Sequence, residues 1–290
     1  MKTKQLIIIA ASLLALAGCS REAFKVEEPK ITSDSPVFTA ILQDEEQTKI
    51  TIDANNHILW NTTGDTLSVF RGYKHSKYAI TLENFTSQGS NIASRLFTKV
   101  EGFDIDMEYA PDSYVAIYPY DSANAYNSDG TVTLRMPKGI VARYRNLKYL
   151  TTWGGYPMVA VTKDTDDYVL RFKSVCGIMA IPVTGKGTIA KAVLRGNAGE
   201  ALAGTLQVSA SYDGDPEVVG ITDPVTELSL NLGGNLSYGD IEMLILLPPM
   251  TFEQGFTIEL TDVAGNVFTK STDDFLHSDR NHICHFKHGC

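Results

Sequence analysis

The sequence predicts an all-β protein made of two antiparallel β domains in tandem. Three observations carry the all-β class, and the polar stretch Thr162–Asp167 suggests the division in two. Apolar and polar residues alternate with period two from Val37 to the end, turn residues punctuate the runs, and no segment keeps helical spacing for three turns. Composition agrees: 43% hydrophobic and 20% charged residues in 290 supply a core, which excludes a disordered chain, a collagen-like repeat and a coiled coil. Lys plus Arg number 25 against 34 Asp plus Glu, for a net charge of −9. That balance argues against nucleic acid as a partner, because phosphate binding needs clustered cations. Four cysteines are too few for a disulfide-built scaffold.

The first element is a targeting segment. Lys2 and Lys4 precede the apolar run Leu6–Leu16, which is too short to span a bilayer but suits a signal sequence. The run leads into Leu16-Ala17-Gly18-Cys19, which resembles a bacterial lipobox: small residues suit the peptidase, cleavage falls between Gly18 and Cys19, and the Cys19 thiolate accepts the lipid. The alternative is an ordinary signal peptide followed by a chance cysteine. Two or more acyl chains, palmitate among them, anchor a protein stably where one does not. Ser20, rather than Asp, follows the cysteine and points to outer-membrane sorting. Ser20 to Pro36 is polar and aperiodic and reads as a tether.

The strands follow. Val132, Leu134 and Met136 share one face of Thr131–Met136; Leu228, Leu230 and Leu232 share one face of their run, and Phe256, Ile258 and Leu260 do the same. Met243 to Leu247 is continuously apolar, as a central strand would be, and Pro248-Pro249 stops it. Turns are expected at Asp53–Asn56, Asn127–Gly130, Tyr212–Gly214 and Ala264–Asn266. The polar stretch Thr162–Asp167 is read as the domain boundary, with a hairpin loop as the alternative.

Motifs with chemistry are few. Gly185-Lys186-Gly187-Thr188-Ile189-Ala190 matches a dinucleotide fingerprint, but no βαβ context surrounds it, so a glycine-rich turn is expected. No GxSxG, Walker A or HExxH sequence occurs. The expectation is a protein without enzymatic activity, cofactor or metal. The tail holds three of the six histidines and two of the four cysteines, and His282, Cys284 and His288 would share one face of an extended strand. They form a weak metal-site alternative to a plain final strand. A Cys284–Cys290 disulfide is a further alternative. Cys176 reads as a small core residue. The acidic clusters Asp164, Asp166, Asp167 and Asp213, Asp215, Glu217 read as solvated loops rather than calcium sites. Trp60 and Trp153 are candidates for stacking on a glycan, whereas Tyr114, Tyr118 and Tyr120 share strand parity and suit packing.

A longer pattern spans nearly the whole chain after Cys19. It begins with Phe38-Thr39-Ala40-Ile41, Thr48–Thr51 and Leu59-Trp60-Asn61 leading into Gly64–Phe70, then Ala116–Tyr120 and Tyr156–Ala160. It continues with Leu170–Ile178, Leu202-Ala203-Gly204, Leu247-Pro248-Pro249 with Phe252 and Gly255-Phe256, and Arg280-Asn281. In this order the anchors resemble the fimbrillin family, the pilin and pilus-accessory lipoproteins of Gram-negative gut and oral anaerobes. The resemblance implies two transthyretin-like β-sandwich domains. The chain then divides into a signal peptide (1–18), an acylated tether (19–36), an N-terminal sandwich (37–163) and a C-terminal sandwich (164–290). It implies a lipid-anchored structural or adhesive subunit of a cell-surface fimbria in the outer membrane, joined to other subunits by donor-strand exchange, with a host receptor or glycan as a further partner. Val37–Leu42 and Asn281–Phe286 match the exchanging strands. The alternative function is a surface lipoprotein that binds host or dietary glycans. Family shaft pilins are cut by an Arg-specific protease after the first strand, yet Gln43–Lys49 contains no arginine. An anchor or accessory subunit that keeps its first strand is therefore expected in preference to a shaft pilin.

Overall fold

Period-two alternation becomes strand throughout a computed structural model that describes residues 35–43, 65–80, 94–102, 112–137, 140–144, 156–183, 188–235 and 241–286. Among the described residues every helical or extended element is a β-strand, so the protein is all-β there. Seven strands close a ring. β1 (Phe38–Leu42) lies parallel to β10 (Val169–Ser174); β9 (Met158–Val161), β5 (Tyr114–Tyr118), β2 (Thr66–Arg71), β3 (Lys74–Ile80) and β4 (Ser94–Gly102) follow in antiparallel order, and β4 returns to β1. Closure leaves none of the seven with an unpaired edge along its paired length. Phe38, Ala40, Leu67, Phe97, Ile117 and Leu170 are fully buried.

The remaining strands form smaller sheets. One runs β21 (Ile283–His285), β11 (Gly177–Val183), β16 (Ile241–Leu247), β8 (Ile140–Tyr144). A second runs β15 (Glu227–Asn235), β12 (Thr188–Gly196), β18 (Phe256–Asp262), β19 (Val267–Thr272). A third runs β14 (Glu217–Val225), β13 (Ala203–Ser209), β7 (Thr131–Arg135), β6 (Ala125–Tyr126), and β17 (Met250–Phe252) pairs with β20 (Leu276–Ser278). The buried side chains of ring and sheets form one continuous cluster.

The alternating runs behave as their patterns require. Val132, Leu134 and Met136 are buried while Arg135 is exposed, and Phe256, Ile258 and Leu260 are buried beneath a more exposed opposite face. Met243–Leu247 lies in β16, between β11 and β8, buried on both faces. At the Asn127–Gly130 turn, Gly130 takes φ of +81° and Asp129 Oδ1 accepts from the Thr131 N–H. At Ala264–Asn266, Asp262 accepts from the N–H groups of Ala264 and Asn266.

Two features depart from simple antiparallel tandem order. β1–β10 and β11–β21 are parallel, which long connections permit and hairpins do not. Pairing also crosses position 163/164. β7 pairs with β13, β8 with β16, and β10 with β1 and β9. Thr162–Asp167 is the connection between β9 and β10, which pair with each other. Its acidic residues close that loop: Asp164 Oδ1 accepts from the Asp166 N–H, Asp167 accepts from the N–H groups of Lys163 and Val169, and Asp167 pairs with Arg171 at 2.8 Å. Beyond the glycine pair of the dinucleotide-like motif, Thr188–Gly196 is the strand β12, so the helix N-terminus that would meet pyrophosphate does not follow.

Candidate functional site

The candidate site consists of the two terminal strands. β1 is built for deep burial. Phe38, Thr39 and Ala40 are at most 2% exposed, although β1 has only five residues. The Phe38 ring meets Tyr78 edge-on at 5.3 Å and Tyr114 at 4.9 Å, with Tyr168 tilted at 6.1 Å. Each such contact adds roughly 0.5–1.5 kcal/mol to the area that Phe38 buries. Main-chain bonds complete the seat: the Thr39 N–H donates to the Tyr168 carbonyl and the Gln43 N–H to the Phe172 carbonyl, both at 2.9 Å. Taking β1 out would leave facing edges on β10 and β4 and a hole bounded by Tyr78, Tyr114 and Tyr168. Such a groove asks for another strand with an aromatic residue in register.

β21 is held differently. It adds in parallel to the outer edge of β11, with the Ile178 N–H donating to the His282 carbonyl and the Phe286 N–H to the Ala180 carbonyl, both at 2.9 Å. Ile283 and Phe286 are its buried anchors, and the Phe286 ring meets Phe256 edge-on at 5.0 Å. A latch precedes it. Arg280 pairs with Asp215 at 2.6 Å and donates to the Ser174 carbonyl at 3.3 Å. Asn281 adopts φ of +55°, a conformation its short polar side chain tolerates, and its N–H donates to the Cys176 carbonyl at 2.8 Å. Gly177 is required at this crossing, because a Cβ there would collide with the carbonyl of Asp279.

The other sequence candidates fall as follows. His282 is exposed and Cys284 half-buried, while His285 faces Glu242 at 3.5 Å. Among the described residues no three His, Cys, Asp or Glu side chains are grouped to hold a metal ion. Burial, with Asp279 nearby, pushes the Cys284 thiol up, and burial alone does so for Cys176, so neither favours the reactive thiolate. Cys176 is wholly buried, as expected of a core residue. Tyr114 and Tyr118 pack as their parity suggested, and Tyr118 donates its hydroxyl to Asp65 at 2.9 Å. Gly18, Cys19, Trp60, Trp153, His288, Cys290 and the 44–49 loop lie outside the described residues. The cage around Phe38 is a site that the sequence did not disclose, because its tyrosines are far apart in the chain and each has an ordinary strand pattern.

No family model and no curated protein matches the chain. Among solved structures, a candidate cell adhesion protein from Bacteroides fragilis aligns over 82% of this chain and 85% of its own, at 15% identity and a TM-score of 0.44. A C-terminally truncated tip fimbrial protein from Porphyromonas gingivalis aligns over 86% of this chain and 94% of its own, at 11% identity and a TM-score of 0.32. At TM-scores this low, neither likeness decides the fold or the role of this chain.

Proposed function

We propose that the chain is a non-catalytic structural or adhesive subunit of a cell-surface fimbria, lipid-anchored through Cys19 at the outer membrane and joined to neighbouring subunits by strand exchange. The observation that supports this reading best is the seat of β1. A short terminal strand fills a slot flanked by β10 and β4 with one caged aromatic anchor, so its place is one that an equivalent strand from another chain would fill. The division into two transthyretin-like sandwiches in tandem, 37–163 and 164–290, belongs to the same reading and rests on the family resemblance alone. A host receptor or surface glycan is the outward partner.

The absence of arginine between Gln43 and Lys49 supports an anchor or accessory role, in which the first strand stays in place. Arg71, the next arginine after Arg21, ends β2 with its guanidinium 5.7 Å from the centre of the Tyr114 ring, a position that suits packing rather than a cleavage loop. Electron microscopy of producing cells that lack the chain is the test. Fibres should be lost or shed into the medium; fibres unchanged in number and attachment would overturn the proposal.

A further inference from the structure

A cleft of about 210 Å³ opens between the end of β5, the loop from Pro119 to Asn124 and the end of β7. Its floor is apolar, with Ile117, Leu134 and Met136 all buried. Drug-sized pockets run to roughly 300–1,000 Å³, so this one suits a single small ring.

Three polar side chains face the cleft. Asn124 is only 6% exposed. Its Nδ2 donates to Ser68 Oγ at 2.9 Å and to the Pro119 carbonyl at 3.0 Å, which fixes the amide and leaves Oδ1 without a partner among the described residues. Asp121 Oδ1 accepts from the Ala123 N–H at 2.8 Å, while Oδ2 stands 4.0 Å from Arg135 Nη1. That separation is beyond hydrogen-bond range, so both groups keep capacity for a ligand. Tyr120 forms part of the wall, and Lys77 lies over its ring at 4.7 Å.

The set of two oxygen acceptors and one guanidinium at the rim selects the ligand class. A cation would face Arg135. A carboxylate or phosphate would satisfy Arg135 but meet the Asp121 carboxylate and the Asn124 oxygen. A pair of adjacent hydroxyls both donates and accepts, so it satisfies all three groups, while the C–H face of a sugar ring covers the apolar floor. We propose that this cleft binds one neutral saccharide ring, with hydroxyls donating to Asn124 Oδ1 and Asp121 Oδ2 and accepting from Arg135.

The test is saturation-transfer NMR of the full chain against a panel of neutral hexoses, followed by titration of any that respond. Saturable binding is expected, with dissociation constants on the order of millimolar for so small a contact. Arg135→Ala removes an exposed side chain, so its melting temperature should match the unsubstituted chain, and Asp121→Asn keeps the Oδ1 acceptor for the Ala123 N–H; in both, affinity should fall about tenfold or more. Absence of transfer to every neutral hexose would overturn the assignment, as would binding unaffected by both substitutions. Preference for an acidic sugar that strengthens in Asp121→Asn would also overturn it. The fibre phenotype is a separate measurement, so failure here leaves the strand-exchange reading to its own test.

Discussion

His75 stacks on Phe70 at 4.5 Å and tilts against Tyr120 at 5.4 Å, and its Nε2 is buried with no hydrogen-bond partner. Burial holds its pKa below the ordinary 6.5, and nearby Asp121 only partly offsets this. The unfolded chain therefore binds the proton first as the solution is acidified. The favourable state is fully present above pH 6.5 and is lost as pH falls through the depressed folded value. Melting temperature should drop between pH 7.5 and pH 5, and His75→Asn should lose less over the same interval. Equal losses in both proteins would show that other groups carry the acid sensitivity. Residues like this one were poorly legible in the sequence. Parity placed Tyr114 and Tyr118 inward, but nothing in it announced that Tyr78, Tyr114 and Tyr168 would converge on Phe38. Nor did it announce that Asn124 would sit buried with one oxygen unspent.

At the scale of elements, strands with one wet face were the most legible. β7 and β18 follow their alternation because burial of one face fixes side-chain direction along a strand. Partners were not legible, since period two names a face and not a neighbour. Thus Thr162–Asp167 is the β9–β10 connection, and β8 lies beside β16 a hundred residues later in the chain. The β11–β21 junction offers a direct test. Gly177→Ala sets a methyl group against the Asp279 carbonyl and should displace β21. The expected cost is about 1–3 kcal/mol, the usual range for overpacking. Hydrogen exchange should quicken at the Ile178 and Phe286 amides, which bond across this junction, and stay unchanged at Thr39, which bonds within the ring. Unchanged protection at Ile178 and Phe286 would show that the crossing has slack.

At the scale of the whole molecule, the proposed lipid anchor rests on the lipobox-like Leu16–Cys19 segment of the sequence. Cys19→Ala should move the protein out of the detergent phase and out of the membrane fraction; unchanged partitioning would sink the lipid anchor. The ring adds a constraint of timing. β1 is made first, yet the strand it lies parallel to begins with Val169, about 130 residues further on. A chain that emerges N-terminus first holds Phe38 and its neighbours with part of their seat missing until about three-fifths of the 290 residues have appeared, and long-range closures of this kind are intrinsically slow. During that interval the edge of β1 that will face β10 stays unpaired. The order of synthesis thus makes full burial of Phe38 a late event in the folding of this chain.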